Sequence, residues 1–539
     1  MKNKLYHLII SRLDGEKLSS LPYQEKIFEL VRKGIAGFIL FGGKREEIKG
    51  FIDKLQAMAD VPLFIASDIE RGVGQQIKGY TDFPCQMAVR AAIKKDKPED
   101  VAFLQDAVNA IAREAIDVGI NMPLIPVLDV NQRPDNPIIC TRAFSDNPED
   151  VSWFGSAYIK VLEDAGLISC AKHFPGHGDT SIDSHIALPV ITKSYKELMD
   201  TDIMPFAEAI NTGVSSIMTG HLLASSIDSM PATLSEKMIK GLMREQLGFD
   251  GLIITDALNM SALSNIENIP AKCIKAGVDI LLHPADTDMA VKDLENALKT
   301  KEIDEASIDR AVARILKFKS KLSRNSRVGF AHHIDYSHNR NLSTIITEAS
   351  ITIVKQTAEI MPITNACVVL AGADKFHEPS LWKGHFREVS TLNNTPLFTK
   401  GGQGKLAGEP IIFAIFTEVS AWKGSSGITD EERQKIIELI KLVPEGFNRG
   451  KAKKSTLDKS SALSKTKQSR CFAEAKHTIC QGSIVISFGS PYILSHFKEA
   501  DMLIAAYGTT EEAQRAVIKG LKGEMEFKGQ LPVRLNLAS

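Results

Sequence analysis

No excess of charge of either sign marks this chain: 65 Lys and Arg stand against 66 Asp and Glu in 539 residues. That balance supplies no global field to draw in nucleic acid or an anionic membrane, so the expected partner is a neutral or modestly charged small molecule. No C-x-x-C pair occurs either. The seven cysteines, at 85, 140, 170, 273, 367, 471 and 480, form an odd set that argues for core thiols in a reducing compartment over a disulfide framework. No apolar stretch reaches 18 residues, and the opening Met1 to Leu13 holds only the short run Leu8 to Ile10. Neither a spanning helix nor a signal-peptide core is predicted, and cytoplasmic residence is expected. Hydrophobic residues are plentiful at 44%, enough for one large core and a second smaller one.

Short apolar runs recur through the first 290 residues: Tyr6 to Ile10, Gly37 to Phe41, Leu63 to Ser67, Met122 to Val130, Ile168 to His173, Ser216 to Gly220, Leu252 to Thr255 and Val278 to Leu282. Runs without period-two alternation read as strands buried on both faces, and helical spacing between them, as in Leu104, Val108 and Ile111, implies strand-helix alternation. Eight such units predict an α/β fold with an N-terminal (β/α)8 barrel over residues 1–322. Polar groups fall at the ends of the runs: Asp68, Asp129, Lys172 with His173, His221, Asp256 and His283. In a barrel these ends share one rim, where active sites of that fold are built.

Residues 323–342, rich in Ser, Asn, His and Arg, read as a linker to a smaller α/β sandwich over 343–539. Its expected strands are Ile351 to Val354, Ala366 to Leu370, Ile411 to Phe416, Ser483 to Phe488, Met502 to Tyr507 and Leu531 to Leu535. A Lys/Ser-rich insertion at 448–477 reads as a solvated loop, with an anion-binding patch as the alternative.

The densest chemistry lies in Lys172-His173-Phe174-Pro175-Gly176-His177-Gly178-Asp179-Thr180-Ser181-Ile182-Asp183-Ser184-His185. Pro175, Gly176 and Gly178 deny this segment regular structure, and loops on rigid scaffolds are where catalytic groups concentrate. Asp256, in Thr255-Asp256-Ala257-Leu258-Asn259-Met260, is a carboxylate presented at the end of a buried strand. Such a group suits nucleophilic attack on an anomeric carbon; capping the next helix is the competing role. A leaving alcohol needs a proton, and no second carboxylate is evident on the rim. His185, two residues after Asp183, is the alternative donor, because histidine gives and recovers a proton near neutral pH and an aspartate on its other nitrogen fixes the tautomer. Tying down the loop is what the pair would otherwise do.

Lys172 to His185, together with Asp256 in T-D-A-L-N-M, resembles the family 3 glycoside hydrolases, in particular their β-N-acetylglucosaminidase branch with its signature K-H-F-P-G-H-G-x-x-x-x-D-S-H. Supporting pieces are Pro126 to Asn131, Thr141-Arg142-Ala143-Phe144, and Ser67-Asp68-Ile69-Glu70-Arg71-Gly72. The resemblance implies a retaining double displacement on terminal β-linked N-acetylglucosamine from peptidoglycan fragments, with no cofactor and no metal. It implies Asp256 as nucleophile, His185 as acid/base, Asp183 as its partner, and Asp68, Arg142, Lys172 and His173 as holders of sugar hydroxyls. Those four also suit charge-assisted bonds to hydroxyls by their own chemistry, with rim ion pairs or a core histidine as the plainer alternatives. One departure stands out: where the family carries an arginine eight residues after the aspartate, this chain has Gln76, and Arg71 replaces a glycine. A neutral amide lacks the guanidinium fork, so either Arg71 supplies the contact or that subsite differs. The rivals are a metal hydrolase using His173, His177, Asp179 and His185, a catalytically silent sugar-binding protein, and a phosphorylase or β-glucosidase of the same family.

Overall fold

The computed structural model describes residues 2–322, 334–357, 361–395, 409–419, 427–442 and 482–537. The insertion expected at 448–477 lies outside them. Two compact units divide the chain, one running through Ile346 and the other beginning at Thr347.

Eight parallel strands organise the first unit: β1 Ile9–Asp14, β2 Gly37–Phe41, β3 Phe64–Ser67, β4 Met122–Pro123, β5 Cys170–Phe174, β6 Ser216–Thr219, β7 Leu252–Thr255 and β8 Leu281–Leu282. They form a five-stranded sheet in the order β8-β1-β2-β3-β4 and a three-stranded sheet in the order β5-β6-β7. Isolated parallel bridges run between Val127 and Lys172 and between Ile254 and Ile280, alongside the junctions of the two sheets. Phe38, Leu40, Ile65, Ile253 and Ile254 are wholly buried, as expected for parallel strands covered on both faces.

The apolar runs locate each of these eight strands, with two corrections of extent. Tyr6 ends the helix Lys2–Tyr6, so the first strand starts later than expected, at Ile9. The long run after Met122 keeps only two residues in the regular ladder, because Pro123 and Pro126 have no N–H to give. It nonetheless follows β5: Cys170 N donates to Ile125 O at 2.9 Å and Leu128 N to Lys172 O at 2.6 Å.

Helices between strands start on the residues that cap them. Asn147 accepts from the N–H groups of Glu149 and Asp150 ahead of helix Pro148–Asp164, and Asp286 accepts from Met289 N ahead of Thr287–Lys299. The expected linker is partly helical, since Tyr336–Ser350 is one helix. Its polar composition hides a buried stripe of Asn339, Leu342 and Ile346, and Asn339 Nδ2 donates to the buried Glu114 Oε1 at 2.7 Å.

The second unit is α/β, built on a six-stranded sheet: β9 Thr352–Gln356, β10 Cys367–Gly372, β11 Glu388–Thr391, β12 Ile411–Phe416, β13 Ser483–Phe488 and β14 Met502–Ala505, in the order β9-β14-β13-β12-β10-β11. Only β9 runs antiparallel to its neighbour. Its core gathers Val368, Ile412, Phe416, Ile486, Phe488 and Val517 around Trp382, whose Nε1 donates to Gln514 at 3.0 Å. Leu531 to Leu535 is not a strand: Pro532 cannot donate to a ladder. The described cysteines, Cys85, Cys140, Cys170, Cys273 and Cys367, are free thiols, all buried except the half-buried Cys85.

Candidate active site

Side chains from three consecutive strand ends meet through charge. Lys172, on β5 and only 1% exposed, places Nζ 2.6 Å from Asp68 Oδ1 and 2.8 Å from Glu70 Oε1. Arg142, from the turn Cys140–Arg142, holds both oxygens of Glu70, Nε to Oε2 at 2.9 Å and Nη2 to Oε1 at 2.7 Å. Asp68, Lys172, Glu70 and Arg142 therefore form a chain of alternating sign with no net charge. Burial pushes the Glu70 carboxyl up and the two cations down, yet attraction prevails. Arg142 and Lys172 hold Glu70 far below the usual carboxylate range, Glu70 keeps Arg142 above its ordinary value, and Asp68 together with Glu70 does the same for Lys172. Nothing in the sequence argument singles out Glu70, because its two partners lie 72 and 102 positions away; a second carboxylate two residues after Asp68 was the available signal.

Gln76 bonds the backbone of the same segment, its Nε2 donating to Asp68 O at 3.1 Å. Arg71 turns to Asp82 at 3.6 Å and is 39% exposed. The amide thus supports the Asp68 loop from within, and the guanidinium does not take the place of the family arginine beside Asp68.

Asp129, fully buried after β4, is a second hub that the sequence marks by position but gives no role. Its Oδ2 meets His173 Nδ1 at 2.8 Å, and its Oδ1 accepts the backbone N–H of His177 at 2.6 Å. Burial raises this carboxyl, but His173 and His177 bring it below its usual range. His173 is thereby oriented by a buried anion.

From Phe174 the chain enters the loop that carries Asp183 and His185. Two glycines let it pass close to the scaffold: a Cβ at Gly178 would sit 1.8 Å from Val130 O, and Gly176 adopts φ +130° with Asp202 Cβ only 2.8 Å from where its own Cβ would be. Beneath it, Lys193 binds Asp202 at 2.5 Å, Asp179 at 3.4 Å and the Gln132 carbonyl. The loop returns into the short strand Val190–Ile191, which pairs with Leu223–Ala224 beyond β6. Within it, Asp183 is buried and its Oδ1 meets His185 Nδ1 at 2.8 Å. The His185 carbonyl accepts from Ser261 N at 3.4 Å, on the segment that follows Asp256.

Asp256 directly follows β7, its N–H bonded to Thr219 O at 3.0 Å and its Oδ1 accepting from Ala257 N at 2.7 Å. Burial would push this carboxyl up; the imidazoles of His173, His221 and His185 and the Ala257 N–H hold it below the usual carboxylate range. An ionised carboxylate ringed by imidazoles is equipped for nucleophilic attack. His221 is buried, with Nδ1 bonded to Thr233 Oγ1 at 2.8 Å and Nε2 to Ala257 O at 3.1 Å, so it supports the backbone beside Asp256. His283 packs 6.0 Å from the Phe41 ring, and burial, with Arg12 nearby, pushes it down to about 4.

The four groups considered as metal ligands are directed apart: His173 to Asp129, Asp179 to Lys193, His185 to Asp183, and His177 to Thr180 and Ser184. Among the described residues no group of three or more His, Cys, Asp or Glu is placed to hold a metal ion. No helix among them is long and apolar enough to cross a membrane.

Comparison with known proteins gives the same direction. Beta-hexosaminidase A of Pseudoalteromonas piscicida is 33% identical over 396 residues, covering 65% of this chain and 64% of that protein, so the chain spans less than two thirds of this relative's length. A beta-N-acetylglucosaminidase/beta-glucosidase of Cellulomonas fimi is 26% identical over 517 residues, covering 89% of this chain and 85% of its own. The solved structure of a glycoside hydrolase family 3 beta-N-acetylglucosaminidase from Paenibacillus sp. str. FPU-7 superposes with a TM-score of 0.78 at 26% identity, covering 100% of this chain and 99% of the other. Residues 3–318 match the Glycosyl hydrolase family 3 N terminal domain. That segment is more than half of the chain and holds every residue of the site, and the chain belongs to glycosyl hydrolase family 3.

Proposed function

We propose that the protein is a retaining, exo-acting β-N-acetylglucosaminidase that removes terminal β-linked N-acetylglucosamine, with fragments of peptidoglycan as its substrate class. The observation that carries the reading is the Asp183–His185 pair at 2.8 Å on a loop bonded to the segment after Asp256. In the first step the Asp256 carboxylate attacks the anomeric carbon while the His185 imidazolium gives its Nε2 proton to the departing oxygen. In the second, the neutral imidazole takes a proton from water as that water displaces Asp256 from the same carbon, returning both groups to their starting states. Asp183 steadies the cation and fixes which nitrogen reacts. Asp68, Arg142, Lys172 and His173 hold the sugar, with Asp68 and Lys172 meeting hydroxyls as acceptor and donor.

Two finer points of architecture and setting belong to the same proposal. The strand order, with the bridges at Val127 and Ile254, supports closure of the eight strands into a (β/α)8 barrel whose rim carries the site. The cysteine pattern supports a reducing compartment, the cytoplasm.

A second reading has its own support. A neutral imidazole, unlike a carboxylate, does not repel phosphate as the second nucleophile, so glycosyl phosphate is an accessible product. Turnover of an aryl N-acetylglucosaminide and an aryl glucoside, each with and without phosphate, tests both points. Free N-acetylglucosamine as product supports the proposal, sugar 1-phosphate replaces hydrolysis by phosphorolysis, preference for the glucoside overturns the substrate, and no turnover of either leaves a sugar-binding protein.

A further inference from the structure

His177 is buried, has no hydrogen bond to Asp256 or His185 among those described, and is bonded through both its backbone and its ring. Its backbone is fixed from two sides: Asp129 Oδ1 accepts its N–H at 2.6 Å, and Asn136 Nδ2 donates to its carbonyl at 2.9 Å. Its ring then spans the loop, with Nδ1 at 2.8 Å from Thr180 Oγ1 and Nε2 at 2.9 Å from Ser184 Oγ. Ser184 is the residue between Asp183 and His185.

The proton count selects one arrangement. Thr180 Oγ1 also lies 3.0 Å from the His177 carbonyl, which can only accept. If the Thr180 hydroxyl donates there, it must receive from Nδ1–H, and Nε2 is then bare to accept from Ser184. In the opposite tautomer the buried Ser184 hydroxyl accepts from Nε2–H and its own proton has no further acceptor among the described residues, while Thr180 gives its proton to Nδ1 and faces the His177 carbonyl without one. Buried polar groups resist such arrangements, because a lost partner costs the full desolvation of the group. Burial pushes the His177 ring down to about 4, against the attraction of Asp129, so it stays a neutral donor-acceptor near neutral pH.

We propose that His177 is a positioning residue: as the Nδ1–H tautomer it braces Thr180 against Ser184 and so transmits the fixed position of Asp129 to the Asp183–His185 pair. The proposal rests on the reading of His185 as acid/base. A rigid planar group with one donor and one acceptor meets this need. Glutamine keeps an amide near the Nε2 position, and asparagine keeps one near Nδ1.

The test compares Ser184→Ala, His177→Gln, His177→Asn and His185→Ala on an activated aryl N-acetylglucosaminide and on an unactivated alkyl one. Supporting partners of reacting groups typically carry factors of about 10–100. Ser184→Ala and His177→Asn are expected to lower kcat about tenfold on the alkyl substrate, with KM and the aryl rate changed by no more than about twofold, and His177→Gln to recover part of the loss. The double variant His177→Asn/Ser184→Ala should lose no more than His177→Asn, since both remove one end of the same bond. Ring nitrogen-15 spectra of the unaltered enzyme, assigned with His177→Gln, should report Nδ1 protonated and Nε2 bare, a readout that survives if His177→Asn is unstable in assay. A protonated Nε2, or equal losses on both substrates by Ser184→Ala beside a selective loss by His185→Ala, overturns the proposal alone. Equal losses by His185→Ala overturn the acid/base reading and the proposal with it.

Discussion

One oxygen of Asp183 serves His185 twice, accepting its backbone N–H at 2.9 Å and meeting its ring Nδ1 at 2.8 Å. The carboxylate thereby fixes both where the residue stands and which way its imidazole turns. Asparagine at 183 keeps an oxygen for both bonds but not the charge that stabilises the imidazolium. Asp183→Asn is expected to lower kcat by about 10²-fold on unactivated substrates, at the lower end of what general acid–base catalysis contributes, and less on activated aryl ones. Steady-state rates across a series of leaving groups check this; a flat response across the series removes Asp183 from the proton-transfer role.

Asp256 is held ionised below the usual carboxylate range, so its anionic form, the one the proposed attack requires, persists as the medium is acidified through that range. Asp256→Asn should reduce kcat by more than about 10³-fold with the fold intact, because an amide cannot complete the covalent step. Trapping with a 5-fluoro N-acetylglucosaminyl fluoride, whose ring fluorine slows turnover of the covalent intermediate while C2 keeps its acetamido group, followed by intact mass, should label the unaltered enzyme and leave Asp256→Asn unlabelled. Labelling elsewhere would move the nucleophile.

The fold was legible where burial alone decides structure. The eight strands of the two main first-unit sheets follow apolar runs, since strands covered on both faces must be apolar throughout. Legibility failed where the ladder, not burial, decides: β11, Glu388–Thr391, is a half-buried edge strand without an apolar run, while Leu531 to Leu535 has the pattern but carries Pro532. At the site, strand-end position brought out Asp68, Lys172, His173 and Asp256, and local spacing brought out Asp183 with His185. Glu70 and the bracing role of His177 depend on contacts set by the folded chain, which a linear pattern does not encode.

Glu70 is the member of the charge chain that touches both cations. Removing its charge leaves Lys172 its pair with Asp68 but takes from the buried Arg142 its contacting anion, with only the pull of Asp129 and Asp68 remaining. Glu70→Gln is expected to cost about 3 kcal/mol of stability, as when one partner of a buried ion pair is lost, and to raise KM by displacing Lys172 and Arg142. The denaturant midpoint and KM measured together check it. Because the folded Glu70 carboxyl lies below its ordinary value, its contribution is present above that ordinary value and is lost as pH falls through the folded one, so the gap between variant and parent should narrow in acid.

Lys319 offers a stability prediction away from the chemistry. Its side chain is 2% exposed, with Nζ over the Phe64 ring at 5.2 Å, and burial pushes the amine down to about 7 from an ordinary 10.5. Between those two values the unfolded chain holds a proton that the folded one has released, so this group makes stability rise with pH through the window and imposes its full penalty below about 7. Lys319→Met keeps most of the volume and removes the penalty. It should stabilise the protein by about 2–4 kcal/mol at pH 6, less than the full shift at roughly 1.4 kcal/mol per unit because the ring contact is lost as well. The advantage should shrink steadily toward pH 10. Denaturant unfolding at pH 6, 8 and 10 measures it, and a difference independent of pH would mean that the Lys319 amine keeps its ordinary protonation in the fold.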